Sequence, residues 1–168
     1  MGPREWRFGK ADPALSLSNL RSRIPPPMPR ADFYLVAKPR FRAEPLRLVC
    51  KLVRKASDAG QWTLVLARDV EQAEALDALL WDMGEDAYIP HQIAGTDDED
   101  ELTPVLIAAP QTDAPARPLV INLRDAAFEG DCERVLEVVP ADAGAREPQR
   151  ERWKRYRTRG FELNRHDM

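Results

Sequence analysis

The chain of 168 residues has no glycine-rich phosphate loop. Its eight glycines are Gly2, Gly9, Gly60, Gly84, Gly95, Gly130, Gly144 and Gly160, with no G-x-G pair and no G-K-[ST]. Close backbone approach to a phosphate needs such glycines, so a dinucleotide or P-loop cradle is not expected. Cysteine is almost missing. Cys50 and Cys132 make neither a disulfide framework nor a metal-binding pair. With no secretory segment at the N-terminus, they read as reduced thiols of a cytoplasmic protein. His91 and His166 are the only histidines, and Ser57 is the only serine after Ser22. Ser57 falls late in an amphipathic run without the glycine elbow of a nucleophilic serine. His91 follows a proline and reads as a loop residue. No apolar run approaches the ~20 residues of a membrane helix. No catalytic residue, metal or cofactor is therefore expected.

What is present is an alternation of apolar runs and amphipathic stretches. "DFYLVA", "QWTLVLA", "PVLIAA", "PLVINL" and "RVLEVV" are short and nearly all apolar, as strands buried on both faces are. "EPLRLVCKLVRKASDAG" has Leu46, Val49, Leu52, Val53 and Ala56 at helical spacing, with Pro45 in its first turn and Gly60 as a stop. Cys50 sits within that apolar face. "DVEQAEALDALLWDMG" opens with Asp69 three residues before Gln72, a capping-box spacing, and carries Val70, Ala73, Leu76, Leu80 and Met83 on one face. The pattern predicts a single α/β domain over residues 31–168: Rossmann-like, with a mostly parallel sheet flanked by helices and without the nucleotide-binding glycine loop.

Residues 1–30 read as a disordered extension. "RSRIPPPMPR" favours an extended polyproline-like chain, and the change in composition at Met28 suggests a translation start there. The run Asp97–Glu101 is wholly acidic but lacks the glycine and ligand alternation of a calcium loop, so it reads as a solvated loop.

The segment "QRERWKRYRTRGFELN", residues 149–164, carries a formal charge of +4 within a chain of −3. As a helix over 149–160 it sets Arg150, Lys154 and Arg157 in one stripe, with Trp153 beside it. Tyr156 and Leu163 read as core anchors, Pro148 as suited to the N1 position that opens the helix, and Gly160 as the left-handed cap that ends it. The stripe is open to four readings. It is a solvated face, a nucleic-acid track, a membrane surface, or a receptor for a compact anion joined to an apolar group. Nucleic acid wants a longer positive track and exposed stacking rings. A membrane helix wants a broad apolar face. Paired guanidinium contacts beside an aromatic wall suit the free carboxylate of an acidic peptide.

The same residues carry a resemblance. "RERWKRYRTRGFELN", together with "DFYL", "EQAEALDALLW" and "YIPHQIAG", resembles the motifs of the chi subunit family of bacterial DNA polymerase III holoenzyme, in order from Asp32 to Asn164. Residues 1–30 and the acidic run fall outside the pattern. The resemblance implies a non-catalytic accessory subunit of the replicative polymerase. Such a subunit binds psi, and through psi the clamp loader. It also captures the acidic, Phe-ending tail of single-stranded DNA-binding protein, so its contact with DNA is indirect. By motif, Arg150, Trp153 and Lys154 would form the tail pocket, Val139 would wall it and Arg146 would add outlying charge. Trp81 and Tyr88 would belong to the psi face, which a repair helicase could share. No membrane contact is implied. The runner-up reading is a nucleic-acid-binding module that uses the basic C-terminal helix directly.

Overall fold

The computed structural model describes residues 28–96 and 98–168. The expected N-terminal extension and the start at Met28 concern residues that lie largely outside this range. Seven strands form one sheet: β1 (Arg30–Leu35), β2 (Thr63–Leu66), β3 (His91–Ile93), β4 (Val105–Ala108), β5 (Leu119–Asn122), β6 (Arg134–Val139) and β7 (Glu162–Asp167). Their order is β3-β4-β2-β5-β6-β1-β7, and all six pairings are parallel. β2, β4 and β5 are buried at every position, as their unbroken apolar runs require.

Among the described residues, four α-helices flank the sheet: α1 (Pro39–Ala43), α2 (Pro45–Asp58), α3 (Val70–Trp81) and α4 (Arg146–Thr158). α2 and α3 bury Leu48, Val49, Leu52, Val53, Ala73, Leu76 and Leu80 against one face of the sheet. α4 buries Tyr156 against the other face, where Phe33, Val120, Val135 and Val139 lie. This split follows from topology. The connection from β1 to β2 runs one way along the sheet, and that from β6 to β7 runs the other way. Right-handed crossovers then put their helices on opposite faces.

The local signals explain the helix ends. The Asp69 carboxylate accepts the Gln72 amide at 2.7 Å, while Gln72 Oε1 accepts the amide of Arg68, one residue before the cap. Val70 is exposed rather than on the buried face, because as first helical residue it precedes the turn that meets the sheet. At the end of α4, Gly160 has φ +84°. The Phe161 and Gly160 amides bond to the Tyr156 and Arg157 carbonyls at 3.0 and 3.1 Å, and the Phe161 ring closes on Tyr156 at 5.1 Å. This is a Schellman cap with its apolar contact.

Three expectations change. α4 begins at Arg146, so Pro148 is its third residue; the helix continues directly from a short turn, Ala143–Ala145, whose amide Asp142 caps at 2.9 Å. His91 is not a loop residue but opens β3, buried, with Nδ1 2.6 Å from the Ile89 carbonyl and Nε2 3.2 Å from Asp77. β7 goes unseen in the sequence because "ELNRHD" has no apolar periodicity. It pairs beside β1 with its neighbours' help: the buried Asp32 carboxylate on β1 meets His166 at 3.0 Å and Arg134 of β6 at 2.5 Å. Burial raises the Asp32 carboxyl, but hydrogen bonds from His166 and Arg134 outweigh it and hold the group below its usual value.

Beneath α4, Tyr156 donates its hydroxyl to Glu137 Oε1 at 2.5 Å and accepts the Phe128 amide at 2.8 Å. Tyr156→Phe would leave both groups buried without that partner. The expected loss is about 1–3 kcal/mol of unfolding free energy, measured by urea titration. An unchanged midpoint would show that the hydroxyl contributes nothing to holding α4.

Candidate functional site

The buried pair that seats α4 lies under its middle. Glu137 points from β6 toward the helix and is fully buried. Arg152 Nε stands 3.0 Å from Glu137 Oε2, off the line of a good hydrogen bond, and its Nη1 donates to the Asp125 carbonyl at 2.7 Å. Asn122 on β5 donates to Glu137 Oε1 at 2.8 Å. These contacts fix the rotation of α4 about its own axis. With Arg152 and Tyr156 turned inward, a 3.6-residue repeat turns Arg146, Arg150, Trp153 and Lys154 toward the C-terminal end of the sheet.

There they meet a groove of about 820 Å³. Leu35, Val36 and Ala37 from the end of β1, with Pro140 and Ala141 after β6, make its apolar part. α4 supplies Arg146, Gln149, Arg150, Trp153 and Lys154, and β7 supplies Arg165 and Asp167. The groove opens between the C-terminal ends of β1 and β6, the two adjacent strands whose connections leave on opposite faces. Open α/β sheets bind ligands at this switch point. The Trp153 ring is half-buried and rests 5.0 Å from Phe33, so one side of it is fixed by the core and the other walls the groove.

The cations of the basic segment separate into two sets. Arg152 is buried on Glu137, Arg155 grips the Glu129 carboxylate at 2.9 Å, and Arg159 donates to the carbonyls of Phe128, Glu129 and Gly130. These three hold structure. Arg146 and Arg150 are exposed and have no ion pair among the described residues, and Lys154 has only an exposed contact to Glu151 at 3.5 Å. The groove stripe is therefore Arg146, Arg150 and Lys154, at four-residue spacing. Arg157 does not line it.

Of the sequence-derived pocket residues, Arg146, Arg150, Trp153 and Lys154 come together. Val139 does not wall the groove. It is the last residue of β6 and its side chain faces inward, buried in the core cluster against which Trp153 packs; its neighbour Pro140 is the wall. Arg165 and the Leu35–Ala37 floor were missed. An unrecognised strand hid the first, and nothing in a buried apolar run marks which residue emerges at its end.

Trp81 and Tyr88 also come together, elsewhere. Trp81 ends α3 and is 60% exposed; Tyr88 is 68% exposed, with ring centroids 5.9 Å apart. The buried His91 ring backs Trp81 at 4.9 Å. A small hollow of about 370 Å³ lies between them, lined also by Leu80, Gly84 and Glu85. Core burial of Trp81 is excluded. Because α3 runs back against the parallel strands, this face lies at their N-terminal end beside edge strand β3. The groove lies at the C-terminal end near edge strand β7, at the opposite corner.

Comparison with known proteins decides the family. The model of the DNA polymerase III chi subunit family, HolC, matches residues 28–164. The chain belongs to this family. It is 33% identical over 145 residues to DNA polymerase III subunit chi of Pseudomonas aeruginosa, covering 84% of this chain and 98% of that one. It is 34% identical over 121 residues to the Escherichia coli chi subunit, covering 70% and 82%. Among solved structures, the C-terminal domain of the DEAD-box protein Dbp5 aligns with a TM-score of 0.57 at 13% identity, over 83% of this chain and 91% of that one. That likeness shows the α/β fold alone. As a chi-family member the chain is an accessory subunit of a replicative polymerase. Among the described residues, no helix is long and apolar enough to cross a membrane.

Burial pushes the Glu137 carboxyl up to about 7, against the Arg152 charge and the hydrogen bonds from Tyr156 and Asn122. The folded chain then holds this proton more tightly than the unfolded chain, whose ordinary value is 4.5. The contribution to stability is complete below 4.5 and is lost as pH rises through about 7. Wild-type urea midpoints should fall across this window relative to Glu137→Gln. Parallel pH profiles for the two proteins would mean that the carboxylate is ionised throughout.

Proposed function

We propose that this chi-family chain is a non-catalytic tether. One corner takes the acidic, Phe-ending C-terminal tail of single-stranded DNA-binding protein. The opposite corner takes psi, and through psi the clamp loader. The observation that carries the reading is the groove under α4, where Arg146 and Arg150, without ion pairs among the described residues, and Lys154, with only an exposed contact to Glu151, stand beside an aromatic wall and an apolar floor. In this reading Arg150 pairs with the terminal carboxylate, Arg146 and Lys154 with the preceding acidic residues, and Trp153 with the phenyl ring. Val139 supports Trp153 from within rather than touching the tail.

The magnitudes fit a weak, reusable contact. An Arg–carboxylate hydrogen bond contributes roughly 1.5–3 kcal/mol, and burying a phenyl ring about 1.5–3 kcal/mol. Ordering the tail offsets part of this. Peripheral charges and shape must supply the rest, so micromolar binding, about −8 kcal/mol, is a ceiling for one tail. Many tails on one coated strand raise the effective concentration and make such a contact useful. Trp81 and Tyr88 have the exposure and mutual packing of an interface anchor. A helicase using the same face would compete with psi. The cytoplasm, at the replisome, is where these partners would meet.

Fluorescence anisotropy of a labelled acidic peptide ending in Phe tests the groove. Wild type should bind the free carboxylate at low salt, lose affinity as salt rises, and bind the amidated peptide at least about tenfold more weakly. Arg150→Ala should cost a similar factor. Equal binding of the two peptide forms would refute carboxylate capture. Separately, Trp81→Ala should abolish co-purification with psi while leaving peptide affinity unchanged. Retained psi would remove Trp81 from that interface.

A further inference from the structure

A second basic surface, stronger than α4, lies on α1 and α2. Residues 38–55 hold Lys38, Arg40, Arg42, Arg47, Lys51, Arg54 and Lys55 against Glu44 alone. Their formal charge of +6 leaves −9 for the rest of the chain. All seven cations are exposed, and only Arg47 has an acidic partner among the described residues, Glu44. On α2 they fall at i, i+4, i+7 and i+8, opposite the buried Leu48, Val49, Leu52, Val53 and Ala56. α1 continues the patch. The Arg40 guanidinium lies 4.6 Å from the centroid of the Phe41 ring and the Lys51 ammonium 5.4 Å from the same ring, which joins the charges of the two helices.

We propose that this surface binds the phosphate backbone of single-stranded nucleic acid, as a direct template contact beyond the tethering groove. Three features favour this occupant. Protein partners are anchored by exposed aromatic or aliphatic side chains in pockets. Here the large apolar residues, Phe41, Leu48 and Leu52, are all buried. No stacking ring or donor–acceptor pattern is offered to bases, so contact is with phosphates and carries no sequence preference. The α2 stripe from Arg47 to Lys55 runs roughly 12 Å at 1.5 Å per residue, a linear array suited to a polyanion. The patch also begins at the groove's rim. Ala37 lines the groove, and the amides of Ala37 and Lys38 both donate to the Met168 carbonyl at 2.7 Å. A strand released beside a captured tail would meet α1 first.

The test is anisotropy of a fluorescein-labelled oligothymidylate of 30 residues with the full chain, titrated over a salt series. The wild type should bind weakly at low salt with a steep salt slope. The Lys51→Ala/Arg54→Ala variant, altered only at exposed positions, should bind roughly tenfold more weakly, with the slope reduced by about 1.4 for two lost phosphate contacts. Its affinity for the Phe-ending peptide should not change, and Arg150→Ala should bind the oligonucleotide as wild type does. The two readings can therefore fail separately. Wild-type oligonucleotide binding that ignores the double substitution overturns the proposal. So does binding that is lost with Arg150→Ala, which would place nucleic acid on α4. No oligonucleotide binding, with weaker peptide binding by the double variant, would also overturn it and assign α2 to an acidic protein segment.

Discussion

A carboxylate buried beneath a basic helix is the constraint on which the groove depends. After Arg134, β6 is otherwise apolar, yet Glu137 stands within it and is fully buried. It is tolerable only because Arg152, Tyr156 and Asn122 converge on it. Such a cluster adds little net stability over an apolar replacement, but losing one member is expensive because the others stay buried. Its larger effect is geometric. A helix with a single buried aromatic and a mean composition dominated by charge has no broad apolar stripe to define its rotation. The polar cluster defines it, and thereby decides which cations hold structure and which face solvent.

The groove inherits its position from strand order. Adjacent parallel strands whose connections leave on opposite faces must part at their C-terminal ends, and the space between them is lined by whatever follows each strand. In a nucleotide-binding sheet a glycine turn fills that space with backbone amides. Here α1 starts with Pro39 close after β1, and α4 supplies side-chain cations from the other face. The recognition chemistry shifts from a rigid amide nest to longer guanidinium and ammonium groups. These suit a flexible anionic chain better than a compact phosphate. The Trp81–Tyr88 face lies at the far corner of the sheet, so it and the groove are open at once.

Much of this is legible in the sequence. The all-apolar runs gave a buried parallel sheet, the Asp69–Gln72 spacing a capped helix, and Gly160 a left-handed stop, because each depends on a few neighbouring residues. Helical spacing and the family motif single out Arg150, Trp153 and Lys154, and all three line the groove. The basic character of α1 and α2 is also present in the sequence, but it shares residues 38–55 with a helical apolar pattern that reads as a buried face. β7 could not be read. "ELNRHD" pairs along β1 because Asp32, itself buried, collects His166 and Arg134 from two neighbouring strands.

The sequence by itself determined the fold class, the absence of a glycine cradle and the family, since composition, short-range spacing and motif are local properties. Only the tertiary structure decided how the cations divide. Arg150 and Arg152 are two residues apart on one helix and chemically identical. One is free at a groove and the other is buried against a carboxylate fifteen positions upstream on β6. The distinction rests on which strand lies beneath the helix, and that is set by the packing of the whole sheet. For the same reason Val139 turned inward while Pro140 became the wall: the alternation of a strand is local, but where it emerges from the core is not.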